Sequence, residues 1–328
     1  MNKKSIMFTF IAITMLFVIL MSFLITVQTS TKSQTDKILA KATATNAFVE
    51  SFNVNVGSAL KASANQAILA LEDKMDVDDV YLNPPASKNI IIRNAIANGK
   101  YQGNDLRMMK IRRADGTIIA DMTLSSTLNE FKKVAERSNI ILTYDPLIQS
   151  TIIPSMISPW ELKVRFQLSN VRITDREQEI SWNLGNINVE TILDITRYRD
   201  PFYLVSDDLN ITVKKTDAPD FESSDNLNYF IDNFQFREHA DAPDFMQRLF
   251  GEFNVISTNG YETILNSGHI SPPNTPNPNS DSYIDYLYWG TRPLSSSCSV
   301  LGIPEPIKLD PGHKIYYTGT GCPLPGGF

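Results

Sequence analysis

The chain is short of the residues that build metal centres and cross-linked scaffolds. Of 328 residues only two are cysteine and three are histidine. Two cysteines rule out a Cys-rich zinc array or a multi-disulfide framework. His239, His269 and His313 lie far apart with no ligand spacing, so core or solvated histidines are expected and no metal ligand is assigned. An excess of basic charge is missing as well. Thirty Lys and Arg stand against 36 Asp and Glu, a formal net charge of −6, which argues against a nucleic-acid partner. The chain has no G-x-x-x-x-G-K, no G-x-S-x-G, no H-E-x-x-H and no G-x-G-x-x-G following a strand. No enzyme activity and no cofactor are therefore expected. Asp76, Asp78 and Asp79 lack the glycine and final glutamate of a calcium loop and read as a solvated acidic turn.

What is present is a substantial core. Hydrophobic residues make up 42% and charged residues 20%, enough for a folded chain of about two domains. From Ile6 to Val27 runs a stretch of 22 residues with neither charge nor proline. At about 1.5 Å per residue, a helix of that length crosses the ~30 Å hydrocarbon core of a bilayer. Ile6, Phe8, Phe10, Leu16, Phe17, Leu20, Phe23 and Val27 are its anchoring side chains. The run is longer than the apolar part of a cleaved signal and leaves through Gln28-Thr29-Ser30 without a small-x-small site. Lysines flank both ends, Lys3 and Lys4 against Lys32, Lys37 and Lys41, so the positive-inside count is nearly balanced. The five-residue leader has nothing to translocate, which favours the N-terminus inside and the C-terminal bulk outside. Two further features agree with export. Cys298 and Cys322 can pair only in an oxidising compartment, with free thiols the alternative. Asn210-Ile211-Thr212 is a glycosylation sequon.

No proline occurs before Pro84, and apolar or small residues recur at spacings of three and four: Ile38, Ala42, Thr45, Val49, Phe52, Val56, Leu60, Ala64, Ala67 and Leu71. That is one stripe of a helix continuing past the membrane. It packs on the chain's own globular domain, joins a bundle with copies of itself, or forms a simple stalk. A subunit built for packing in a filament is expected to leave the Ile38–Leu71 stripe uncovered by its own domain.

The basic leader Met1-Asn2-Lys3-Lys4-Ser5, then Met7-Phe8-Thr9-Phe10-Ile11, then the apolar run with its amphipathic continuation, resembles the N-terminus of type IV pilin-like proteins. The resemblance covers roughly the first 60 residues. It implies a mature chain starting at Phe8-Thr9, with other pilin-like subunits as partners through the helix. Met7 stands where the family carries a small residue, and Ala12 where it carries a glutamate. Three later segments, 198–205, 241–251 and 283–289, are similar to membrane-anchored surface proteins of archaea with pilin-like N-termini. That likeness implies a location and no particular activity.

Asn83-Pro84-Pro85 marks a boundary after the helix. Ile90-Ile91-Ile92 is a short apolar run. Residues 106–111 and 117–122 flank Asp115-Gly116, a hairpin signal. Ser125 to Arg137 reads as an amphipathic helix with Leu128, Phe131 and Val134 on one face. Three segments between Glu161 and Leu184 alternate with period two, predicting a sheet with one wet face. Asn188 to Arg197 reads as a helix capped by Asn188, and Pro201 to Val205 as a strand or buried loop. Asp217-Ala218-Pro219-Asp220-Phe221 recurs at 241–245; the two copies read as helix starts with Asp217 and Asp241 as caps, a duplicated binding motif being the alternative. Residues 266–281 are rich in Asn, Ser and Pro and read as an exposed loop. Residues 283–289 read as one more strand, and its Tyr286, Tyr288 and Trp289 offer a sugar-stacking platform or, alternatively, one face of a core.

The expected organisation is thus a leader (1–5), a transmembrane helix (6–27), an amphipathic extension (28–72), an α+β ectodomain dominated by antiparallel sheet (73–265), a loop (266–282), and C-terminal strands with a tail (283–328). The expected role is that of a single-pass cell-surface protein, structural or adhesive, with the lipid bilayer as partner and a minor pilin-like filament as one setting. The alternative is a membrane-tethered module that binds a glycan or peptide.

Overall fold

The computed structural model describes residue 14, then 34–83, 87–112, 115–147, 151–177, 180–206, 209–217, 221, 223–266, 268–269, 282–290, 297–300, 302–303 and 307–322. The anchoring residues Ile6 to Val27 lie outside the described residues, Thr14 apart. Among the described residues no helix is long and apolar enough to cross a membrane. The chain is mixed α+β, with a long helix first and antiparallel sheet after it. It divides into two compact units.

The first unit comprises residues 1–70, 89–154 and 163–193. Its spine is helix α1, Gln34–Asp78, 45 residues long, whose last turns belong to the other unit. Helix α2 (Lys88–Asn98) follows, then the short pair β1 (Lys100–Tyr101) and β2 (Asn104–Asp105). Next come the hairpin β3 (Lys110–Arg112) and β4 (Ile118–Asp121), and helix α3 (Leu124–Arg137). A four-stranded sheet contains β5 (Ile140–Thr143), β6 (Thr151–Ser158), β7 (Glu161–Asp175) and β8 (Ser181–Asp194), with β7 pairing all three others.

The stripe on α1 is covered by the chain itself. Phe52, Val56, Leu60, Ala64 and Ala67 have no exposed surface, and Val49 is buried. Burying a large side chain fully contributes about 1.5–3 kcal/mol, so this row is a main source of the unit's stability. Phe52 stacks on Phe48 with centroids 6.1 Å apart and meets Phe131 of α3 edge-on at 5.6 Å. Gly57 lies against β8, where a Cβ would meet Val189 at an ordinary contact distance of 3.6 Å. Ile38 is different. It is 43% exposed and Leu39 66%, because burial on α1 begins only around Thr45. Ile38 therefore does not join the packed row that its spacing predicts.

Thr123 caps α3 by accepting the Ser126 N–H at 3.1 Å, and Leu128, Phe131 and Val134 are buried as their spacing predicts. Two of the alternating segments merge into the 15-residue β7. Its buried set runs 162, 164, 166, 168 and then 171, 173, 175. The phase slips by one residue at Asn170, whose φ of 53° bends the strand.

The second unit comprises residues 71–88, 155–162 and 194–328. It contains a 3₁₀ turn (Ile195–Arg197) and helices α4 (Pro201–Ser206) and α5 (Ser224–Asp232). Strand β9 (Arg237–Glu238) pairs antiparallel with β10 (Tyr261–Glu262), with helix α6 (Phe245–Leu249) between them in sequence. Helix α7 (Asp285–Trp289), the pair β11 (Cys298–Ser299) and β12 (Lys308–Leu309), and helix α8 (Pro311–Thr318) complete it. Its core is aromatic: Tyr198, Phe202, Tyr203, Phe230, Phe236, Tyr261 and Tyr317 are all buried. Cys298 and Cys322 form a disulfide with Cα atoms 5.9 Å apart, tying β11 to the residue run after α8.

Four expectations change. Residues 188–194 belong to β8, and only 195–197 are helical. The alternation of Val189, Thr191 and Leu193, rich in β-branched residues, satisfies a strand as well as a helix, and pairing with β7 decides it. Pro201 to Val205 is helix, because Asp200 accepts the N–H groups of Phe202 and Tyr203 and Pro201 fits the first turn. Residues 285–289 are helix, with only Ile284 bridging to Ile264. In the second of the two echoed segments the cap is Asp244, not Asp241. Asp244 accepts the Gln247 N–H while Gln247 returns a bond to the Asp244 N–H, a reciprocal capping box. Residues 218–220 of the first copy, and the Pro-rich run from 271 to 281, lie outside the described residues.

Candidate functional site

Within the second unit, charged side chains gather around Arg248 and around Glu262. The first centres on Arg248 of α6, which has no exposed surface. Its Nη1 donates to Asp200 Oδ2 at 3.1 Å and to Asp285 Oδ2 at 2.7 Å. Its Nη2 donates to the Tyr261 carbonyl, and its Nε to the Pro243 carbonyl at 3.4 Å. The guanidinium faces the rings of Tyr261 at 4.2 Å and Phe202 at 4.5 Å. Tyr261 also donates its hydroxyl to Asp200 Oδ2 at 3.0 Å. Burial opposes the charge on Arg248, but the two carboxylates outweigh it and hold the proton on. With two acids for one base, one acid is strained: burial first, then the charge of Asp200, push Asp285 up to about 7 against the pull of Arg248. Every polar arm of this cluster is occupied and closed to solvent, which suits a structural hub better than a reaction centre.

The second cluster lies just beneath the surface. His239 follows β9 and donates its N–H to the Gly260 carbonyl at 3.0 Å. Gly260 has to be glycine: a Cβ there would stand 1.9 Å from the Ala242 carbonyl oxygen and 2.6 Å from that of His239. This close approach brings His239 beside Glu262 of β10. From the other side, Asp310 caps α8 by accepting from the Gly312 and His313 N–H groups, with Pro311 in the first turn, which places His313 on the same carboxylate. His313 Nε2 lies 3.2 Å from Glu262 Oε2, and His239 Nδ1 lies 3.4 Å from that oxygen. The two imidazole centroids are 5.0 Å apart. His313 Nδ1 bonds Asp310 Oδ2 at 2.7 Å, and Tyr286 Oη is 3.2 Å from His313 Nε2.

Electrostatics tie these groups together. Burial works against a charged His313 ring, but hydrogen bonds to Asp310 and Glu262 outweigh it and push the ring up to about 10. Burial likewise opposes ionised Asp310, yet bonding to His313 brings it down to about 2. Tyr317, buried beside Glu262, is held protonated by burial and by that carboxylate. Glu262 itself is fully buried. Chemically the arrangement offers two imidazole nitrogens and one carboxylate converging on one point.

A third feature lies in the first unit. A cleft of about 610 Å³ is lined by residues that include Arg93, Asn98, Ser125, Lys132 and Tyr144. Lys132 lies over the Tyr144 ring at 3.8 Å.

The site residues expected from sequence fall as follows. Cys298 and Cys322 are bonded. Asn210 is exposed, with its Oδ1 accepting from Arg199 Nη1 at 2.6 Å. The proposed ligand platform is not one. Tyr286 and Tyr288 are 2% and 3% exposed, and Trp289 packs edge-on against Tyr203 at 5.1 Å. In a helix whose Asp285 is drawn inward by Arg248, the neighbouring aromatic rings become core. The expectation of no metal ligands, drawn from sequence spacing, missed His239 and His313 meeting at Glu262. Asp310-Pro311 before Gly312-His313 is a readable helix start; nothing local connects it to residues 239 and 262. No protein-family model, curated protein or solved structure matches the chain.

Proposed function

We propose that the chain is a single-pass, membrane-anchored cell-surface protein with a structural or adhesive role, its second unit held outside the cell and a minor pilin-like filament one setting for it. The observation that carries the reading is the Cys298–Cys322 disulfide, since such bonds form and persist in oxidising compartments. The uncharged run from Ile6 to Val27 supplies the anchor. The exposed Ile38 and Leu39 agree with a first stretch of α1 standing clear of the chain's own domain near the membrane. The covered stripe from Val49 onward weighs toward α1 as the spine of its own unit and against a bundle of copies along that length. The exposed Asn210 is a site for a glycan in such a compartment.

The test is alkylation of intact cells followed by mass measurement, with and without prior reduction by an impermeant phosphine. Cys298 and Cys322 alkylated only after reduction, by a reagent that does not enter cells, is the expected result. Alkylation without reduction, or only after lysis, overturns the placement outside.

A specific observation favours a second reading. The cleft between Arg93 and Lys132, with Tyr144 at its wall, suits a binding module for an acidic or hydroxyl-rich ligand. It moves that alternative from the aromatic segment at Trp289 to the first unit.

A further inference from the structure

The convergence of His239, Glu262 and His313 is not accounted for by a role in anchoring or adhesion. One ligand atom from each lies within 4.8 Å of the other two. An ion of the zinc type, with bonds of about 2.0–2.1 Å in tetrahedral array, sets its ligand atoms about 3.3 Å apart. The distances from Glu262 Oε2, 3.2 Å to His313 Nε2 and 3.4 Å to His239 Nδ1, match two edges of that figure. A single-site explanation by hydrogen bonding is incomplete. The buried His239 Nδ1 makes no hydrogen bond of regular geometry, while Glu262, which has no exposed surface, also meets the Tyr317 hydroxyl. Buried polar atoms left without partners are rare and costly. A cation held at Glu262 Oε2 supplies the partner that His239 Nδ1 lacks.

The outer shell is also in place. A metal-bound histidine commonly gives its second ring nitrogen to a carboxylate, which fixes the tautomer and the ring plane. His313 does this: Nδ1 is engaged by Asp310 Oδ2 at 2.7 Å, leaving Nε2 aimed at Glu262. Tyr286 Oη also lies 3.2 Å from that nitrogen. The side chains of His239 and His313 keep 17% and 11% of their surface exposed, so the point of convergence lies just beneath the surface. Two imidazoles and one carboxylate suit zinc and its divalent neighbours rather than calcium or magnesium, which take oxygen ligands.

We propose that His239 Nδ1, Glu262 and His313 Nε2 bind one divalent transition-metal ion, zinc being the reference ion, with Asp310 as the orienting carboxylate. The competing arrangement is an imidazolium shared between Asp310 and Glu262 with no ion. The proposal goes beyond the surface-protein reading and does not depend on it.

The test uses the full chain in detergent, stripped with a chelator and then titrated with Co²⁺ and with Zn²⁺. The expected results are one ion per chain, the visible bands of a four- or five-coordinate cobalt, and a rise in melting temperature with zinc. His239→Gln alters a partly exposed side chain and leaves the backbone N–H bond to Gly260 in place. It weakens zinc binding by at least about 100-fold, and Asp310→Asn by about 10–100-fold. Unchanged binding in His239→Gln, with far-ultraviolet dichroism matching the parent, overturns the proposal. So does a folded parent chain that takes up neither metal.

Discussion

Replacing Arg248 by methionine removes the one positive charge from a fully buried set of acceptors while keeping the bulk of the side-chain stem. In the parent chain this guanidinium serves Asp200, Asp285 and the carbonyls of Tyr261 and Pro243. Taking away one partner of a buried ion pair costs about 3–5 kcal/mol, because the remaining charges keep their desolvation penalty. Losing the stacking on Tyr261 and Phe202 adds about 1–2 kcal/mol. Against the roughly 5–15 kcal/mol that holds a typical domain, Arg248→Met should remove about a quarter or more of the stability of the second unit. The stranded carboxylates can escape part of the penalty by binding protons, so the loss should be larger at pH 8 than at pH 5. Arg248→Lys should rescue little, since one ammonium cannot span the separate acceptors that the planar fork reaches. Urea unfolding of the full chain, followed by near-ultraviolet dichroism at both pH values, reads this directly. A methionine variant within about 1 kcal/mol of the parent at pH 8, inside the ordinary range for a tolerated substitution, would refute the view that Arg248 balances buried charge.

Phe52→Ala should cost about 3–5 kcal/mol in the unfolding of the first unit, because Phe52 is packed by Phe48 and Phe131 of the same chain; no loss in the isolated chain would mean that α1 gains its packing from a partner. Reducing the disulfide, or Cys322→Ser, opens a link across a sequence separation of 24 and should lower stability by about 3.5 kcal/mol on the loop-entropy relation, seen as a lower urea midpoint under reducing conditions. Asp285, raised by burial from 3.8 to about 7, holds its proton in the folded chain where the unfolded carboxyl has lost it. Folding then takes up a proton between those values, and this group's contribution to stability falls as pH rises through that window. Asp285→Asn should flatten that slope in a pH series of urea midpoints, and an unchanged slope would show that Asp285 is ionised throughout.

Much of the architecture was legible because local signals and tertiary packing agree. The three-and-four spacing from Val49 to Leu71 marks the buried face of α1, and the alternation from Glu161 marks β7. Leu128, Phe131 and Val134 mark the inner face of α3. Ile38 has the right spacing but no partner surface, and spacing alone cannot tell where cover begins. Where the sequence reading failed, short runs carried two meanings. Val189 to Leu193 satisfies both periods, and pairing with β7 settles it. Residues 285–289 look like a strand until the inward pull of Arg248 on Asp285 is known, and that contact joins positions 37 apart. Pro201 to Val205, expected as a strand or buried loop, and Pro311 onward, for which no element was expected, are helices whose preceding Asp200 and Asp310 supply the cap while the proline fits the first turn. The meeting of His239, Glu262 and His313 was not readable. It depends on Gly260 allowing a backbone approach that no larger residue permits, and on α8 returning to β10 across 51 positions.

An N-terminal anchor that carries the folded units outside the cell, as proposed above, leaves its mark at the start of the mature chain. The most direct measurement is the intact mass and N-terminal sequence of the protein extracted from membranes. The account predicts a chain that retains residues 6–27, beginning at Met1 or Asn2 as a plain anchor, or near Ile6 or Phe8 if the leader is removed as in pilin-like proteins. A chain that begins beyond Val27 would contradict it, leaving the two units without an anchor.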